Sequence, residues 1–166
     1  MKLIELTENE PFDYKTFFIK GLHAHRDCFR ISPDDEAQEP FPTNGTTDSF
    51  TLGILAESGE LAGVVSFQRE GQSREKIRHK GLLFRMYVAA EHAGRGYGRA
   101  LIADVIRRVR EQTDIEQINL TVVATNVNAK RQYEKFGFQT FSTERNALKD
   151  NGLYHDEAQM ALLLNR

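Results

Sequence analysis

The sequence of 166 residues predicts an α/β protein of the α+β type, built on a mixed sheet with helices on its faces. Two observations support this fold class. Short β-rich runs alternate with amphipathic helical runs, and neither a repeat nor a low-complexity tract divides the chain. The length suits one domain, so we expect residues 1–166 to form a single domain with the order β-α-α-β-β-β-α-β-α-β-β.

The first quarter of the chain predicts one strand and two helices. Residues 2–6 alternate between polar and apolar side chains, as a strand does. Ser32 and Pro33 begin a second helix, with acids at 34–36 where the helix dipole favours them, and Pro40 and Pro42 then predict a loop. The first helix precedes this second helix and begins at Pro11. Its apolar residues recur at helical spacing and are Tyr14, Phe17, Phe18, Leu22 and Phe29.

The middle of the chain predicts three strands. Residues 49–56 and 61–69 are extended and β-rich, and the link between them contains Gly59, so they read as a hairpin. A further strand at 82–88 follows the charged loop 71–80.

The remaining chain predicts two helices and three strands. The first helix begins at Gly98, and a short, β-branched and therefore buried strand follows at 118–124. A second helix covers 126–136 and stops at Gly137, a left-handed C-cap. Residues 138–143 and 158–164 then pair as a hairpin around a polar link at 146–152.

Charge and hydropathy exclude several partners. There are 22 Lys plus Arg and 24 Asp plus Glu, a formal net charge of −2, so no cationic field is available for nucleic acid. The longest apolar runs, 86–90 and 160–164, are far shorter than the roughly 20 residues of a membrane span. The N-terminus lacks a signal-peptide pattern, and the single Cys28 cannot form an internal disulfide. We expect a cytoplasmic protein without nucleic-acid or membrane partners.

A glycine-rich loop at 93–98 joins a strong strand to a strong helix. Glycines at alternate positions let backbone N–H groups converge on an anion near the positive end of the helix, and Arg95 and Arg99 can add charged contacts. A tight turn without a ligand is the alternative. A P-loop needs Lys and then Ser or Thr after its last glycine, whereas Arg99 and Ala100 stand here. The spacing of the glycines also fits a dinucleotide-binding fold poorly.

Several spaced motifs together resemble the GCN5-related N-acetyltransferase (GNAT) superfamily. The residues 84–88, Phe-Arg-Met-Tyr-Val, resemble its splayed fourth strand, and 93–98 resemble its pyrophosphate loop. A second motif runs from Asn126 through Tyr133 to Phe138, and the tail 146–160 resembles the last hairpin, so the similarity covers about 61–164. The resemblance implies a single N-acetyltransferase domain with a mostly antiparallel sheet of about seven strands and about four helices.

The resemblance also implies acetyl-CoA as co-substrate. Its pyrophosphate is expected on the loop and its pantetheine beside the backbone of the fourth strand, like an added strand. Ala93 stands where the family usually has Arg or Gln, which removes a side-chain contact but no backbone donor. The residues expected to bind the co-substrate are Met86, Tyr87, Val88, Ala93, Gly94, Arg95, Gly96, Tyr97, Gly98, Arg99 and Asn126.

The resemblance implies direct transfer to a primary amine in a ternary complex, with Tyr133 protonating the departing thiolate. Core packing is the alternative for Tyr133, and N-capping is the alternative for Asn126. The fourth strand carries no acid, so the sequence identifies no general base. Glu36, His155 and Glu157 are candidates, each read first as a solvated surface group.

Two other chemistries receive little support from the sequence. A covalent route through Cys28 lacks any feature that would lower its pKa. His23 and His25 lie two residues apart on a predicted helix, so their rings diverge, and we expect no metal site.

The acceptor site is expected in residues 17–45 and 143–157, where the acids Asp34, Asp35, Glu36 and Glu39 can attract a cationic amine or simply be solvated. We expect a small-molecule amine. A catalytically silent acyl-CoA-binding regulatory module and a phosphate-binding interaction domain remain the alternatives, and a homodimer remains open beside a monomer.

Overall fold

The computed structural model describes residues 1–9 and 12–165, and Pro11, expected to open the first helix, lies outside them. The order of elements is the one that the sequence predicts. No helix in these two ranges is long and apolar enough to cross a membrane. The elements are β1 (Lys2–Leu6), α1 (Tyr14–Ala24), α2 (Pro33–Gln38), β2 (Ser49–Leu55), β3 (Leu61–Arg69), β4 (Lys80–Val88), α3 (Tyr97–Gln112), β5 (Gln117–Val123), α4 (Val127–Glu134), β6 (Gln139–Asp150) and β7 (Leu153–Leu163).

All seven strands form one mixed sheet in the order β1-β2-β3-β4-β5-β7-β6. Every neighbouring pair is antiparallel except β4 and β5, which run parallel and pair only between Lys80–Leu82 and Gln117–Asn119. This confirms the mixed, mostly antiparallel sheet. Because the single parallel pair is so short, the two strands part for the rest of their length.

Each face of the sheet packs against helices. The larger core lies on the α3 side, where Leu101, Ile102 and Val105 pack against β2 and β3, and it extends to Tyr133 of α4. The smaller core lies on the α1 side, where Phe18 and other apolar residues of α1 pack on β3 and β4. The helices therefore hold both faces of the sheet where β4 leaves β5.

The first helix is shorter than the periodicity predicts. α1 ends at Ala24, a single 3₁₀ turn follows at Arg26–Cys28, and Phe29 is extended. Phe29 nevertheless packs on Phe18, with ring centroids 5.5 Å apart. The 3₁₀ turn returns Phe29 to the apolar face of α1. The spacing of Phe29 therefore predicted its packing correctly but not its backbone conformation.

The last hairpin is longer than predicted. Most of the expected link 146–152 is strand, and the turn consists of Asn151 and Gly152, which have φ angles of +49° and +78°. β6 is an edge strand whose first eight residues are exposed, so its side chains show no apolar pattern. The prediction of a loop at 146–152 was therefore wrong, because it rested on the polar composition of this segment alone.

Candidate active site

A cleft of about 500 Å³ opens where β4 and β5 separate. Its floor comes from both strands, and its walls come from the segment after α1, from α4 and from β7. The residues that line it include Phe18, His25, Cys28, Phe29, Arg30, Ile31, Arg85, Met86, Tyr87, Val88, Thr121, Val123, Asn126, Asn128, Ala129, Gln132, Tyr133 and Glu157.

A β-bulge shapes the open edge of β4. The pairing of β3 with β4 shifts between Val64 and Ser66, so Arg85 and Met86 together oppose Val65. Arg85 has a φ of +52°, in the left-handed region that non-glycine residues rarely adopt. The bulge turns β4 away from β5 and leaves its last residues without a strand partner on the cleft side.

The residues predicted to pair with pantetheine lie on this free edge. Met86 packs against the α3 core, and Tyr87 packs in the α1 core beside Phe17 at a ring-centroid distance of 5.2 Å. The side chains thus anchor the strand in the two cores. The β5 side of Met86–Val88 has no strand partner, so its main chain is available for hydrogen bonds to a ligand.

The glycine loop is open to solvent at the start of α3. Gly94 and Gly96 have φ angles of +75° and +83°, and no atom lies within 4 Å of the position that a Cβ would occupy at either residue. Gly96 is the N-cap of α3 and supplies no side-chain hydrogen bond, so the first N–H groups of the helix are left for another acceptor. Arg95 is exposed, whereas Tyr97 is buried beside His92 and therefore offers a ligand only its backbone.

α4 places two predicted residues on the cleft wall. The Asn126 side chain accepts a hydrogen bond from the Ala129 N–H at 3.3 Å, so it is an N-cap as well as a lining residue. Tyr133 lies two turns further along and packs on Phe138, with ring centroids 5.8 Å apart. It is only 7% exposed, and burial raises the pKa of its phenol above the usual range.

Two acids that the sequence suggested were solvated are buried. Glu36 is 0% exposed and lies 2.9 Å from the Arg85 guanidinium, and Glu157 is 1% exposed on β7. Desolvation raises the pKa of both carboxyl groups. Glu157 lines the cleft, whereas His155 lines a separate cavity of about 140 Å³. Only the tertiary structure reveals this, because the burial comes from distant segments.

Three further residues line the cleft, and the sequence predicted either no functional role or only a weak one for them. Arg85 lies between the rings of Phe18 and Phe84 at 5.9 and 5.8 Å, which holds its charge at the bulge. Arg30 reaches Glu157 across the cleft wall. Cys28 is half-buried, and desolvation raises the pKa of its thiol, which disfavours a reactive thiolate.

The sequence gives only weak grounds for a metal site at His23 and His25. Within residues 1–9 and 12–165, no three His, Cys, Asp or Glu side chains are grouped to hold a metal ion.

Comparison with known families agrees with this geometry. The model of the acetyltransferase (GNAT) family matches residues 18–138, more than half of the chain, including the splayed strand, the glycine loop and α4. The chain belongs to the GNAT family. A mycothiol acetyltransferase from Propionibacterium freudenreichii subsp. shermanii is 32% identical over 92 residues, which span 55% of this chain and 29% of that protein.

Solved acetyltransferase structures share the fold over nearly the whole chain. A GCN5-related N-acetyltransferase from Kribbella flavida has a TM-score of 0.79 at 21% identity, covering 98% of this chain and 96% of its own. The ribosomal-protein-S18-alanine N-acetyltransferase from Escherichia coli has a TM-score of 0.71 at 20% identity, covering 99% and 94%. The expected GNAT fold is therefore confirmed.

Proposed function

We propose that this GNAT protein is an acetyl-CoA-dependent N-acetyltransferase that acts on the primary amine of a small molecule. Family membership supports acetyl transfer in general. The observation that carries the proposal is the free edge of β4, which lines a cleft containing a buried tyrosine. An open glycine loop follows this strand along the chain. We also propose that residues 1–166 act as one domain in a reducing compartment such as the cytoplasm, which suits the single free Cys28.

Binding of acetyl-CoA would use backbone groups from two elements. The N–H groups of Gly94–Arg99 donate to the pyrophosphate at the positive end of α3, and Arg95 and Arg99 add charge. The main chain of Met86–Val88 pairs with the amides of pantetheine, and Asn126 contacts the same arm from the opposite wall. Ala93 contributes only its backbone.

The chain's own groups would then carry the transfer. Acetyl-CoA supplies an acyl group already activated as a thioester. A backbone N–H near Val88 donates to the carbonyl oxygen and stabilises the charge that develops there. Tyr133 is protonated at neutral pH, because the ordinary pKa of a phenol is about 10 and burial raises it further. It donates that proton to the departing sulfur. The residues around the cleft hold the amine against the thioester in one ternary complex.

The dimensions of the cleft support a small acceptor. About 500 Å³ has to hold the end of pantetheine together with the amine, which leaves room for a compact molecule. The proposed acceptor half is bordered by residues of 25–31 and by Glu157 of β7, which belong to the two segments in which the sequence predicts an acceptor site.

The proposal is tested by calorimetry with acetyl-CoA and by release of CoA thiol with a panel of small amines. We expect binding, amine-dependent turnover, and a fall in kcat of about 10²-fold or more in Tyr133→Phe with unchanged acetyl-CoA affinity. Tyr14→Phe is the matched control, since Tyr14 is also a buried tyrosine but does not line the cleft. Binding without turnover on any amine would favour the regulatory module, and absence of binding would reject both functions.

A further inference from the structure

Glu157 is a buried carboxylate whose oxygens accept no hydrogen bond from any described residue. It is 1% exposed at the middle of β7, where it is paired with Val123 of β5 and Glu144 of β6. Buried polar groups ordinarily form hydrogen bonds, so a buried carboxylate without one is expected to bind a partner. Because Glu157 lines the cleft, that partner can enter from the cleft.

Asp104 shows how this protein satisfies a structural carboxylate. It is 8% exposed on α3, and its two oxygens accept hydrogen bonds from Arg107 and Arg108. In the part of the chain that the structure describes, the one ion-pair partner of Glu157 is Arg30, whose Nε lies 3.2 Å from Oε1 without the alignment of a hydrogen bond. The Arg30 side chain is 63% exposed, so a cation from the cleft can displace it at little cost in burial.

Among residues 1–9 and 12–165, Glu36 is the other buried carboxylate without a hydrogen bond, but its surroundings differ. It lies 2.9 Å from Arg85, whose side chain is 14% exposed and fixed between two aromatic rings. Glu36 also lies outside the residues that line the cleft. Of these two carboxylates, only Glu157 combines an unsatisfied state with access to the acceptor half of the cleft.

We infer that Glu157 is the catalytic base, which receives the ammonium group of the acceptor and removes its proton. The inference rests on the proposed amine acetylation and names the group that the sequence could not identify. Glu157 and Tyr133 line the same cleft, from β7 and α4 respectively. The amine therefore meets a proton acceptor and the leaving sulfur meets a proton donor within one cavity.

The protons balance across the two residues. The ammonium transfers one proton to Glu157, which later releases it to solvent, and the neutral amine forms the C–N bond. As the C–S bond breaks, Tyr133 protonates the thiolate. The second proton leaves the nitrogen as the amide forms and restores the Tyr133 phenol. The products are the amide, CoA thiol and one proton, with both residues returned to their starting states.

The electrostatic surroundings raise the pKa of the proposed base above that of an ordinary glutamate. Desolvation raises the pKa of the Glu157 carboxyl, Arg30 opposes this shift, and Glu144 on β6 reinforces it. β5 contributes no charged group beside Glu157, since the residue paired with it is Val123, which stands between Val122 and Ala124 in the sequence. The other ionisable groups on the cleft wall are His25, Cys28, Arg85, Tyr87 and Tyr133.

The test compares pH–rate profiles of thiol release for the wild type, Glu157→Gln and the control Glu75→Gln, an exposed loop residue. We expect Glu157→Gln to lower kcat about 100-fold or more, with the acidic limb lost and acetyl-CoA affinity unchanged. The control keeps the wild-type profile.

Two neighbouring variants separate catalysis from a structural role. Arg30→Gln removes the charge that lowers the Glu157 pKa, so the acidic limb shifts to higher pH, and Glu144→Gln shifts it to lower pH. An active Glu157→Gln with an unchanged acidic limb would overturn this inference alone. A wild type that binds acetyl-CoA but acetylates no amine would overturn the proposed function and this role together.

Discussion

Substituting Gly94 by alanine tests the glycine loop, because the free protein and the complex should respond differently. At a φ of +75° an alanine costs about 1–2 kcal/mol in left-handed strain, which lowers Tm by about 2–8 °C for a chain of this size. The new Cβ meets no atom within 4 Å in the protein itself. It would instead stand where the pyrophosphate has to approach the backbone. Loss of one hydrogen bond to a charged phosphate is worth about 1.5–3 kcal/mol, or about a ten- to hundredfold weaker Kd.

Gly45 provides a control with nearly the same backbone. Its φ is +74°, and its Cβ would lie 4.0 Å from the nearest atom, on Thr7. It precedes β2 at the end of the sheet opposite the glycine loop, which follows the end of β4. Thermal melting should therefore show similar losses for Gly45→Ala and Gly94→Ala, while calorimetry with acetyl-CoA shows weakening only for Gly94→Ala. Equal affinities in all three proteins would refute the assignment of the loop as the pyrophosphate site.

Three further predictions concern Asn126, Glu36 and Glu157. Asn126→Ala should cost about 1 kcal/mol of stability, whereas Asn126→Ser keeps the N-cap and loses only co-substrate affinity, as melting and calorimetry would show. Glu36→Gln leaves the Arg85 guanidinium without its counter-charge and should cost about 3–5 kcal/mol in urea denaturation; exposed Asp34→Asn should change less than about 0.5 kcal/mol. The pKa of Glu157 is raised on folding, so its contribution to stability is present below its unfolded value of 4.5 and is lost as the pH rises through the folded value. Urea denaturation between pH 4 and 8 should accordingly show the stability of Glu157→Gln improving relative to wild type as pH increases; a constant difference would contradict the raised pKa.

The backbone at the candidate co-substrate site could be predicted because local chemistry determines it. Glycines at 94 and 96 are needed for positive φ angles, and the loop has them. Asn126 caps α4 and Gly137 ends it in a left-handed conformation, as the sequence predicts. The alternation of strands and helices could also be predicted, because the spacing of apolar residues differs between a helix and a strand.

The proposed base and the edge strand could not be predicted from the sequence in the same way. Glu157 precedes an apolar run near the end of the chain, and nothing beside it in sequence distinguishes it from a solvated acid. β6 carries few apolar residues, because an edge strand with an exposed face requires none. The bulge at Arg85 could not be predicted either, since it depends on the pairing of β4 with β3, which is not local in sequence. The ion pair of Arg85 with Glu36 is equally distant in sequence.

The amino-acid sequence alone determined the secondary-structure order, the positive-φ glycines of the loop and the caps of α4, because each depends on side chains within a few residues. Tertiary structure decided which carboxylates are buried from solvent, where β4 separates from β5 and which residues line the same cleft. Those properties depend on solvent exclusion and strand pairing between segments as far apart as Arg30 and Glu157, and no local pattern records them.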